Sequence, residues 1–477
     1  MIDVLKIAAR NLLRYQRRTL LTALLITVGL TAVLLFVAVA GSFKAMMVAQ
    51  FTDAMVGHLQ VHRRGYVGAM ESLPVDRNMR PRMLAKLYQT LDANAGVEAW
   101  SPRVKFMAMF SNFASTTSVR LNGVYPEREL MTTPLVKNRV LEGGSADPLV
   151  QRGHIQVPEL IAKGMKTKVG DTIVLVATNK DGSVNGKTFV VQGIMESISG
   201  PGGRDGYIHI EDARDLLRIP QQAVERDVLV SEGYLQPLPE GPAVGLKLKK
   251  SEKEIPKPPS AAEQASYLEP TRKLFDSKGW GAPSEVSEIA IRLRDPGQLD
   301  IVLAELENAL AGIKNRRGMS IFQLHPWQRF VPFSKIAKMI DLMTLFIRII
   351  LISVVLISIM NVLIMAVYER IREIGTISAI GTRPGTVLAL FLSEGFLIGL
   401  VGTLLGTIIS LGAVWVLNAV TITFAFGRQE NLVLVPTISM ADVLITGLMT
   451  ILVAVLASLQ PAWKASRMDP IKALRHV

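Results

Sequence analysis

Four long apolar stretches, one near the N-terminus and three near the C-terminus, constrain this 477-residue chain more than any other feature. They cover residues 20–40, 349–367, 387–416 and 443–459. About 20 apolar residues in a helix, rising about 1.5 Å each, cross the hydrocarbon core of a bilayer, so each stretch is long or apolar enough to span it. We expect Pro461 to end the last and shortest helix. The pattern predicts an α-helical membrane protein with four spans, arranged as one plus three.

Lysine and arginine residues indicate which side each span end faces, because cationic side chains in short loops stay in the cytoplasm. The loop between the third and fourth spans contains a single lysine or arginine, Arg428. The other flanks are basic and carry Lys6, Arg10, Arg14, Arg17 and Arg18, then Arg370, Arg372 and Arg383, then Lys464, Arg467, Lys472 and Arg475. This bias predicts a multi-pass protein of the cell inner membrane with both termini in the cytoplasm and its main soluble domain in the periplasm.

A cleaved signal peptide is the rival interpretation of the first stretch, with Ala38-Val39-Ala40 as its cleavage site. We disfavour it, because the apolar run is much longer than the core of a signal peptide.

Composition agrees with a membrane protein that carries a large soluble domain. Hydrophobic residues make up 49% of the chain and the mean hydropathy is +0.32, which is high for a soluble protein but diluted for a purely embedded one. The chain has no cysteine, so the soluble domain must bury a core rather than rely on disulfides. Much of the net charge of +13 flanks the spans, where it meets anionic lipid, so we expect no nucleic acid partner.

The soluble block repeats a strand, helix and strand order at both of its ends. The segments are residues 57–62, a helix opened by Pro81 and residues 97–106, then residues 288–293, a helix opened by Pro296 and residues 320–324. Two such units beside membrane spans close most simply as one α+β subdomain of split βαβ type. Residues 107–283 carry short β patterns and turns, and they predict a β-rich insertion. Within it, the lysines and prolines of residues 247–270 indicate a mobile loop or, less favoured, a basic docking arm.

Two motifs resemble chemical sites but fit them poorly. Gly186-Lys187-Thr188 lacks the first glycine of a phosphate loop, because position 181 is Asp181, and a strand rather than a helix follows. His58 and His62 lie about 13 Å apart if they share a strand, which is too far for one metal ion. We therefore expect no catalytic, metal or cofactor residue in this chain; a triad dispersed along the sequence is the alternative that stays open.

Residues 368–384, between the second and third spans, form the most specific segment of the chain. Isoleucines recur there at helical spacing, Gly381 suits the position just after a helix end, and Pro384 suits the first turn of the next helix. The segment predicts a short charged helix held between two spans. Its charged face is either simply solvated or is a surface that a cytoplasmic partner binds and moves.

Glu394 lies early in the third span, where an ionised carboxylate is costly, and it is the intramembrane candidate. We favour a residue close to the cytoplasmic interface or hydrogen-bonded to neighbouring helices; the sharper alternative is a residue that couples motion. Arg348 is expected near the outer end of the second span, so we do not expect it to pair with Glu394 across most of the bilayer.

The sequence resembles the permeases of the MacB/FtsX type, the ABC transporters that include the macrolide exporter MacB and the lipoprotein-releasing Lol permeases. The combination of motifs is specific, and the resemblance extends over the whole chain. The segments that carry it are the Glu-Arg-x-Arg-Glu-Ile-Gly run at 369–375, Ala379-Ile380-Gly381, the tail at 461–475, residues 57–62 and Val169-Gly170-Asp171.

This resemblance implies a porter-like α+β part and a β-rich part, called the sabre in MacB. It implies that the short helix is the coupling helix, which contacts a separate cytoplasmic ABC ATPase. That ATPase would bind ATP and Mg. The resemblance also implies that this chain has no fused nucleotide-binding domain, as in the Lol arrangement. The implied coupling residues are Glu369, Arg370, Arg372, Glu373, Ile374, Gly375, Ala379, Gly381 and Arg383. A dimer with a second permease copy or a paralogue is also implied; membrane lipid and a periplasmic or outer-membrane protein are further expected partners.

Together these inferences predict nine segments. They are a cytoplasmic amphipathic helix (1–18), the first span (19–41), a periplasmic domain (42–340; porter-like 45–106 and 284–330, sabre-like 107–283), the second span (341–368), the coupling helix and loop (369–384), the third span (385–417), a periplasmic loop (418–441), the fourth span (442–460) and a cytoplasmic tail (461–477).

The expected function is that of an ABC transporter permease that passes ATP-driven motion to its periplasmic domain for export or extraction of a lipoprotein, lipid, peptide or amphipathic drug. An FtsX-like regulator that activates a periplasmic cell-wall hydrolase is the first alternative. A membrane-anchored structural or sensory protein is the second.

Overall fold

The computed structural model describes most of the chain and divides into two compact units. We call Met1–Met47 with Lys335–Val477 the helical unit, and Val48–Ser334 the sheet unit. The described residues are 2–198, 203–224, 226–237, 261–314, 318–330, 333–421, 423–426 and 429–468. Residues 247–260 of the predicted mobile loop lie outside them.

The described residues form helices and strands that are numbered here in chain order. The helices are α1 (Ile2–Arg14), α2 (Gln16–Phe51), α3 (Pro81–Ala93), α4 (Pro126–Thr132), α5 (Glu159–Met165), α6 (Ile210–Leu216), α7 (Arg226–Ser231), α8 (Ala261–Ser277), α9 (Leu299–Leu310), α10 (Phe333–Glu369), α11 (Ile371–Ala379), α12 (Pro384–Val420) and α13 (Met440–Ser466). The strands are β1 (Leu59–Arg63), β2 (Val97–Ser111), β3 (Thr116–Val124), β4 (His154–Pro158), β5 (Thr172–Thr178), β6 (Val184–Met195), β7 (Gly206–His209), β8 (Glu288–Leu293), β9 (Phe322–Pro326), β10 (Thr423–Phe426) and β11 (Gln429–Val433).

Among the described residues, four helices are long and apolar enough to cross a membrane, which confirms the predicted number. They cover Thr19–Val56, Ala337–Glu369, Pro384–Val420 and Met440–Ser466. Each exceeds the roughly 20 residues that a span requires. The one-plus-three membrane arrangement stays a prediction.

Close packing around α12 depends on glycine. A Cβ atom on Gly399 would lie 2.8 Å from Cβ of Ala454 in α13, and one on Gly402 would lie 2.6 Å from Cγ2 of Ile26 in α2. Contacts this short exclude a side chain, so α13 and α2 both approach the backbone of α12 at its glycines, as membrane helices do where small residues line the contact. Glycines on successive turns thus bring α2 and α13 against the same helix.

The prediction that Pro461 ends the last helix is wrong, because α13 continues to Ser466. Ala462 and Ala465, beyond the proline, are fully buried in a cluster that includes Ile374 and Phe391. A proline inside a helix removes one hydrogen bond, and the apolar packing of the following turn stabilises the continuation.

The sheet unit contains one nine-stranded sheet in the order β3, β7, β4, β6, β5, β2, β8, β1, β9. Because β3 also pairs with β2, the first six of these strands close into a ring. Strand β2 belongs to both parts: residues 97–103 pair with β8, and residues 103–111 pair with β3. It runs without a break across the predicted boundary between residues 106 and 107.

Two apolar cores accompany the two parts of this sheet. The first lies between the strands outside the ring and the helices α3 and α9, which contribute residues such as Leu87 and Leu306. The second is formed mainly by strands of the ring, for example at Phe106 and Phe189. Trp280, from the segment assigned to the insertion, packs in the first core, so the predicted insertion is not confined to the second.

The predicted loop is wrong where the structure describes it, because α8 begins at Ala261 and includes Pro270. Residues 261–265, Ala-Ala-Glu-Gln-Ala, are strong helix formers. Leu274 and Phe275 anchor the end of α8 in the first core. Local helix propensity and this packing outweigh the proline content on which the loop prediction was based.

Candidate functional site

The hinge between α10 and α12 is the site that the sequence singles out. Helix α10 ends at Glu369, Arg370 leaves the helical conformation with ψ of 17°, and α11 follows. At the end of α11, Gly381 has a φ of +95°, and the amide of Thr382 donates to the carbonyl of Ile377. This is a Schellman helix end, which favours glycine because other residues rarely adopt positive φ. Pro384 then occupies the first turn of α12.

A buried ion pair connects this hinge to α12. Nη1 of Arg370 lies 3.1 Å from Oε1 of Glu394, and both side chains are buried. Nδ2 of Asn11, in α1, donates to the same oxygen at 2.9 Å. Three elements distant in sequence therefore meet at one carboxylate oxygen.

Tyr15 extends the contact between the N-terminal segment and the hinge. The guanidinium of Arg370 lies over its ring, with Cζ 3.8 Å from the ring centroid. The Tyr15 hydroxyl donates to Oε1 of Glu373 at 2.9 Å, and Nη2 of Arg14 approaches the same oxygen at 3.9 Å. The residues at the α1–α2 junction thus contact both the buried start and the exposed first turn of α11.

Burial determines what the Arg370–Glu394 pair does. Removing two opposite charges from water is costly, and their attraction offsets this only while they stay close and hydrogen-bonded. Moving α11 away from α12 would therefore leave a buried charge without its ion-pair partner. The pair favours movement of the start of α11 together with α12.

The structure separates the nine implied coupling residues into two groups. Arg370, Ile374 and Gly375 are buried, and Ile374 packs against α12 and α13. The remaining six, which are exposed, are Glu369, Arg372, Glu373, Ala379, Gly381 and Arg383. Two isoleucines lie on the exposed side as well, Ile377 at 42% and Ile380 at 81% exposure. The exposed side of α11 is therefore partly apolar rather than simply charged.

Arg348 lies elsewhere. Its Nη2 is 3.4 Å from Oδ1 of Asp442, in the first turn of α13. The carboxylate of Glu394 instead contacts Arg370, an implied coupling residue.

The sequence reasoning missed Asn11 and Tyr15 as members of this site. Ala8, Asn11, Leu12 and Tyr15 are spaced as i, i+3, i+4 and i+7, which is the spacing of one helix face. Ala8 is fully buried and Leu12 packs against a core of the helical unit. An asparagine and a tyrosine on an otherwise apolar stripe are the signal that could have identified them.

The sheet unit contains a second set of buried charges, which we call the charge network: His62, Arg103, Lys105, Glu129 and Glu288. Arg103 binds Glu129 through two nitrogens, at 2.5 and 3.1 Å, and Glu288 through Nη1 at 3.0 Å. Nζ of Lys105 lies 2.9 Å from Oε1 of Glu288, and Nε2 of His62 lies 3.3 Å from its Oε2. These side chains come from β1, β2, α4 and β8.

Their pKa values follow from burial and pairing together. Burial alone would raise the pKa of Glu288, but Lys105, the hydrogen bond with His62 and Arg103 hold it well below its usual range. Burial lowers the pKa of His62 despite the nearby Glu288. Burial would also lower the pKa of Arg103, yet Glu129 and Glu288 raise it. The network is therefore a set of matched charges around a neutral imidazole.

The structure places the two histidines considered as a metal pair in unlike surroundings. His58 accepts a hydrogen bond at Nδ1 from the amide of Leu293 at 2.9 Å, and His62 belongs to the charge network. Among the described residues, no group of three or more potential metal ligands comes together. Gly186-Lys187-Thr188 lies within β6, and Nζ of Lys187 binds Oδ1 of Asp212 at 2.6 Å.

Comparisons with known proteins agree with this architecture. Residues 19–309 match the family model of the MacB-like periplasmic core domain, and residues 345–470 match that of the FtsX-like permease C-terminal region. The chain is 30% identical over 124 residues to the lipoprotein-releasing system transmembrane protein LolC of Xylella fastidiosa (strain 9a5c), a match covering 24% of this chain and 30% of the relative. It is 36% identical over 113 residues to the macrolide export ATP-binding/permease protein MacB 1 of Aeromonas hydrophila, covering 24% and 16%.

Among solved structures, the periplasmic region of MacB from Actinobacillus actinomycetemcomitans aligns at 10% identity with 60% of this chain and 94% of that chain, with a TM-score of 0.31. The matched segments span 30% or less of the length of the two curated relatives. The MacB-like family model, by contrast, covers more than half of this chain. The chain therefore belongs to the MacB/FtsX family of ABC transporter permeases.

Proposed function

We propose that this chain is a permease subunit that couples ATP hydrolysis by a separate cytoplasmic ATPase to motion of its periplasmic sheet unit. The motion would drive export or extraction of a lipoprotein, lipid, peptide or amphipathic drug. The observation that carries the proposal is the hinge, where Ile377 and Ile380 are exposed and the start of α11 is tied to α12 by the buried Arg370–Glu394 pair.

The exposed side of α11 has the chemistry of a helix that docks in a groove. Ile377 and Ile380 provide apolar anchors three residues apart, and Arg372 and Glu373 provide charge on the same short helix. Amphipathic helices bind grooves through apolar residues at this spacing, and the charged positions set specificity. The ATPase surface that receives α11 would be an apolar groove with charged edges.

The buried side of α11 supplies the path for motion. A force on α11 would reach α12 through the Arg370–Glu394 pair and through the packing of Ile374. Helices that pack closely move as rigid rods with small shear displacements. Asn11 brings α1 into the same contact, so the first and third spans would respond together.

The topology completes the proposal. The basic flanks support a topology in which both termini and α11 lie on the cytoplasmic side of the inner membrane. We propose a dimer with a second copy or a paralogue, because the helical unit leaves many apolar side chains exposed, including Leu404, Ile408 and Leu448. Membrane lipid and a second permease would cover them.

Copurification tests the proposal. The protein, extracted from its own membranes in mild detergent, should bring with it an ABC ATPase and a measurable rate of ATP hydrolysis. Ile380→Glu should reduce the amount of ATPase recovered about tenfold, because it places a charge in the docking surface. Ile301→Glu, the same substitution at an exposed isoleucine of the sheet unit, is the matched control and should leave recovery unchanged. The proposal fails if no ATPase accompanies the wild-type protein, or if Ile380→Glu recovers as much as the control.

A further inference from the structure

A cavity of about 890 Å³ opens in the sheet unit between β1, α3 and the chain after α9. Ligand pockets are typically about 300–1,000 Å³, so this cavity has room for a small molecule. It lies entirely within the sheet unit. Neither the hinge nor the charge network contributes a residue to it.

Five cationic side chains line the cavity, and none of its described lining residues is acidic. They are Arg63, Arg64, Arg82, Lys86 and Lys314. Arg63 is half-buried and the other four are exposed, and within the described part of the chain none of the five forms a salt bridge with a carboxylate. A concave wall with charge of one sign concentrates counter-ions, and here it would attract an anion.

The positions of the cations show that the fold does not neutralise them. Arg82 and Lys86 are four residues apart on α3, so two like charges lie on one helix face, an arrangement that disfavours the helix. Nε of Arg64 donates to the carbonyl of Ser320 at 2.8 Å, which fixes its side chain beside the cavity. Nη1 of Arg63 reaches the carbonyl of Asp76 only at 3.4 Å and keeps donor capacity.

The rest of the wall is apolar. Met83, Val228, Ile313 and Ile321 line the cavity and are half-buried. The first three also pack against the first core of the sheet unit. The amide of Ile321 donates to the carbonyl of Ile313 at 3.0 Å, which holds the backbone at these two residues together.

We propose that this cavity binds an anionic amphiphile, whose carboxylate or phosphate head group contacts the cations while its alkyl chain lies on the apolar wall. Arginine suits either head group, because its planar fork of donors matches both carboxylate and phosphate oxygens. A neutral or cationic amphiphile would leave five like charges uncompensated. This binding does not depend on coupling to an ATPase.

Photolabelling tests the proposal on the full-length protein in phosphatidylcholine nanodiscs. The probe is decanoic acid carrying a diazirine, and peptide mapping after irradiation identifies the labelled segments. We expect label on α3 and on the lining residues Ile313, Lys314 and Ile321, competed by decanoate or decyl phosphate. Decanol and decyltrimethylammonium should compete at least about tenfold less, and butyrate should also compete weakly because it lacks the apolar contact. The ratio between decanoate and decyl phosphate decides which head group the site prefers.

The double variant Arg82→Gln, Lys86→Gln should lose about tenfold in labelling, as removal of two head-group contacts predicts. Lys166→Gln, Lys168→Gln is the matched control, since both lysines are exposed on the sheet unit, neither forms a salt bridge among the described residues, and neither lines the cavity. An unchanged melting temperature in both variants confirms that folding is intact. The proposal is overturned if decanol competes as well as decanoate, if the label lies outside the cavity, or if the two double variants label equally.

Discussion

The two units bury charge in different ways. In the sheet unit, Arg103 binds two carboxylates and Glu288 contacts Arg103, Lys105 and His62, so the charges fix strands of one sheet to each other. In the helical unit, the Arg370–Glu394 pair joins the junction of α10 and α11 to the interior of α12. A network with several contacts per charge favours one rigid arrangement of the whole sheet, whereas one buried pair between helices holds them together at that point and leaves the rest of their length free to shift. We infer that the sheet unit is rigid.

The largest expected effect comes from the charge network. Arg103→Ala leaves Glu129 without its guanidinium partner in a fully buried site, and breaking such a pair costs about 3–5 kcal/mol. Urea unfolding followed by tryptophan fluorescence measures this loss, because Trp100 and Trp280 lie in the first core of the same unit. Arg103→Lys keeps the charge but loses the planar guanidinium that binds two carboxylates. Its stability should therefore fall between those of the wild type and Arg103→Ala. A loss below about 1 kcal/mol for the alanine variant would refute the rigid-network description.

This network also shows where sequence reasoning reached its limit. Proline and apolar spacing were enough to predict α3 from Pro81, and apolar alternation predicted β8. The closure of six strands into a ring was not predictable, because β3 pairs with β7 from a distant part of the chain. Arg103 and Glu288 are 185 residues apart, and no local pattern indicates such a pair.

At the hinge, the sequence predicted the backbone conformation better than it predicted the contacts between side chains. Gly381 and Pro384 were assigned to their positions at helix termini from residue type alone. Glycine adopts positive φ readily, and the fixed φ of proline suits the first turn of a helix. Asn11 and Glu394 meet across 383 residues, which only tertiary packing brings about. Local propensity therefore predicts the ends of elements, and the site depends on which elements pack together.

The hinge pair gives the next largest effect. Glu394→Gln keeps the shape but removes the charge opposite Arg370, and hydrogen bonds to a charged group contribute about 1.5–3 kcal/mol. Thermal unfolding in detergent should therefore show a lower melting temperature, and ATP hydrolysis by the copurified complex should respond less to added substrate. The exchange Arg370→Glu with Glu394→Arg restores the pair in reverse and should recover part of both losses. If the losses measured for Arg370→Glu alone and for Glu394→Arg alone simply add in the exchange variant, the two residues do not act as a pair.

A pH-dependent effect should be confined to the sheet unit. His325 is 2% exposed and lies 5.6 Å from the ring of His62, and burial, His62 and Arg329 lower its pKa to about 4. The folded protein then binds fewer protons than the unfolded chain between pH 6.5 and 4, so stability is fully present above 6.5 and falls as the pH drops through this window. We expect a loss of up to about 3 kcal/mol in the free energy of unfolding.

His325→Phe removes the titrating group while keeping an aromatic ring beside Phe330, so its stability should change less with pH across the same window. Glu288, whose pKa is held low, contributes stability that is lost only below about pH 4.5, and the variant should keep that acid limb. Urea unfolding midpoints of the variant and the wild type at pH 7, 6, 5 and 4 separate the contribution of His325 from that of Glu288. An identical profile for the variant and the wild type would assign the loss to other groups.

The smallest effect tests whether burial or distance determines the strength of an ion pair. Nζ of Lys44 lies 2.6 Å from Asp341, closer than Arg370 is to Glu394, but both partners are partly exposed, Asp341 at 58%. Water solvates both ions when they separate, so Lys44→Ala should lower stability by less than about 1 kcal/mol, and 1 M salt should remove the difference. Melting temperatures at low and high salt measure this. If Lys44→Ala destabilises the protein as much as Glu394→Gln does, then burial is not what distinguishes the hinge pair, and the Arg370–Glu394 contact loses its special status as the point that holds these helices together.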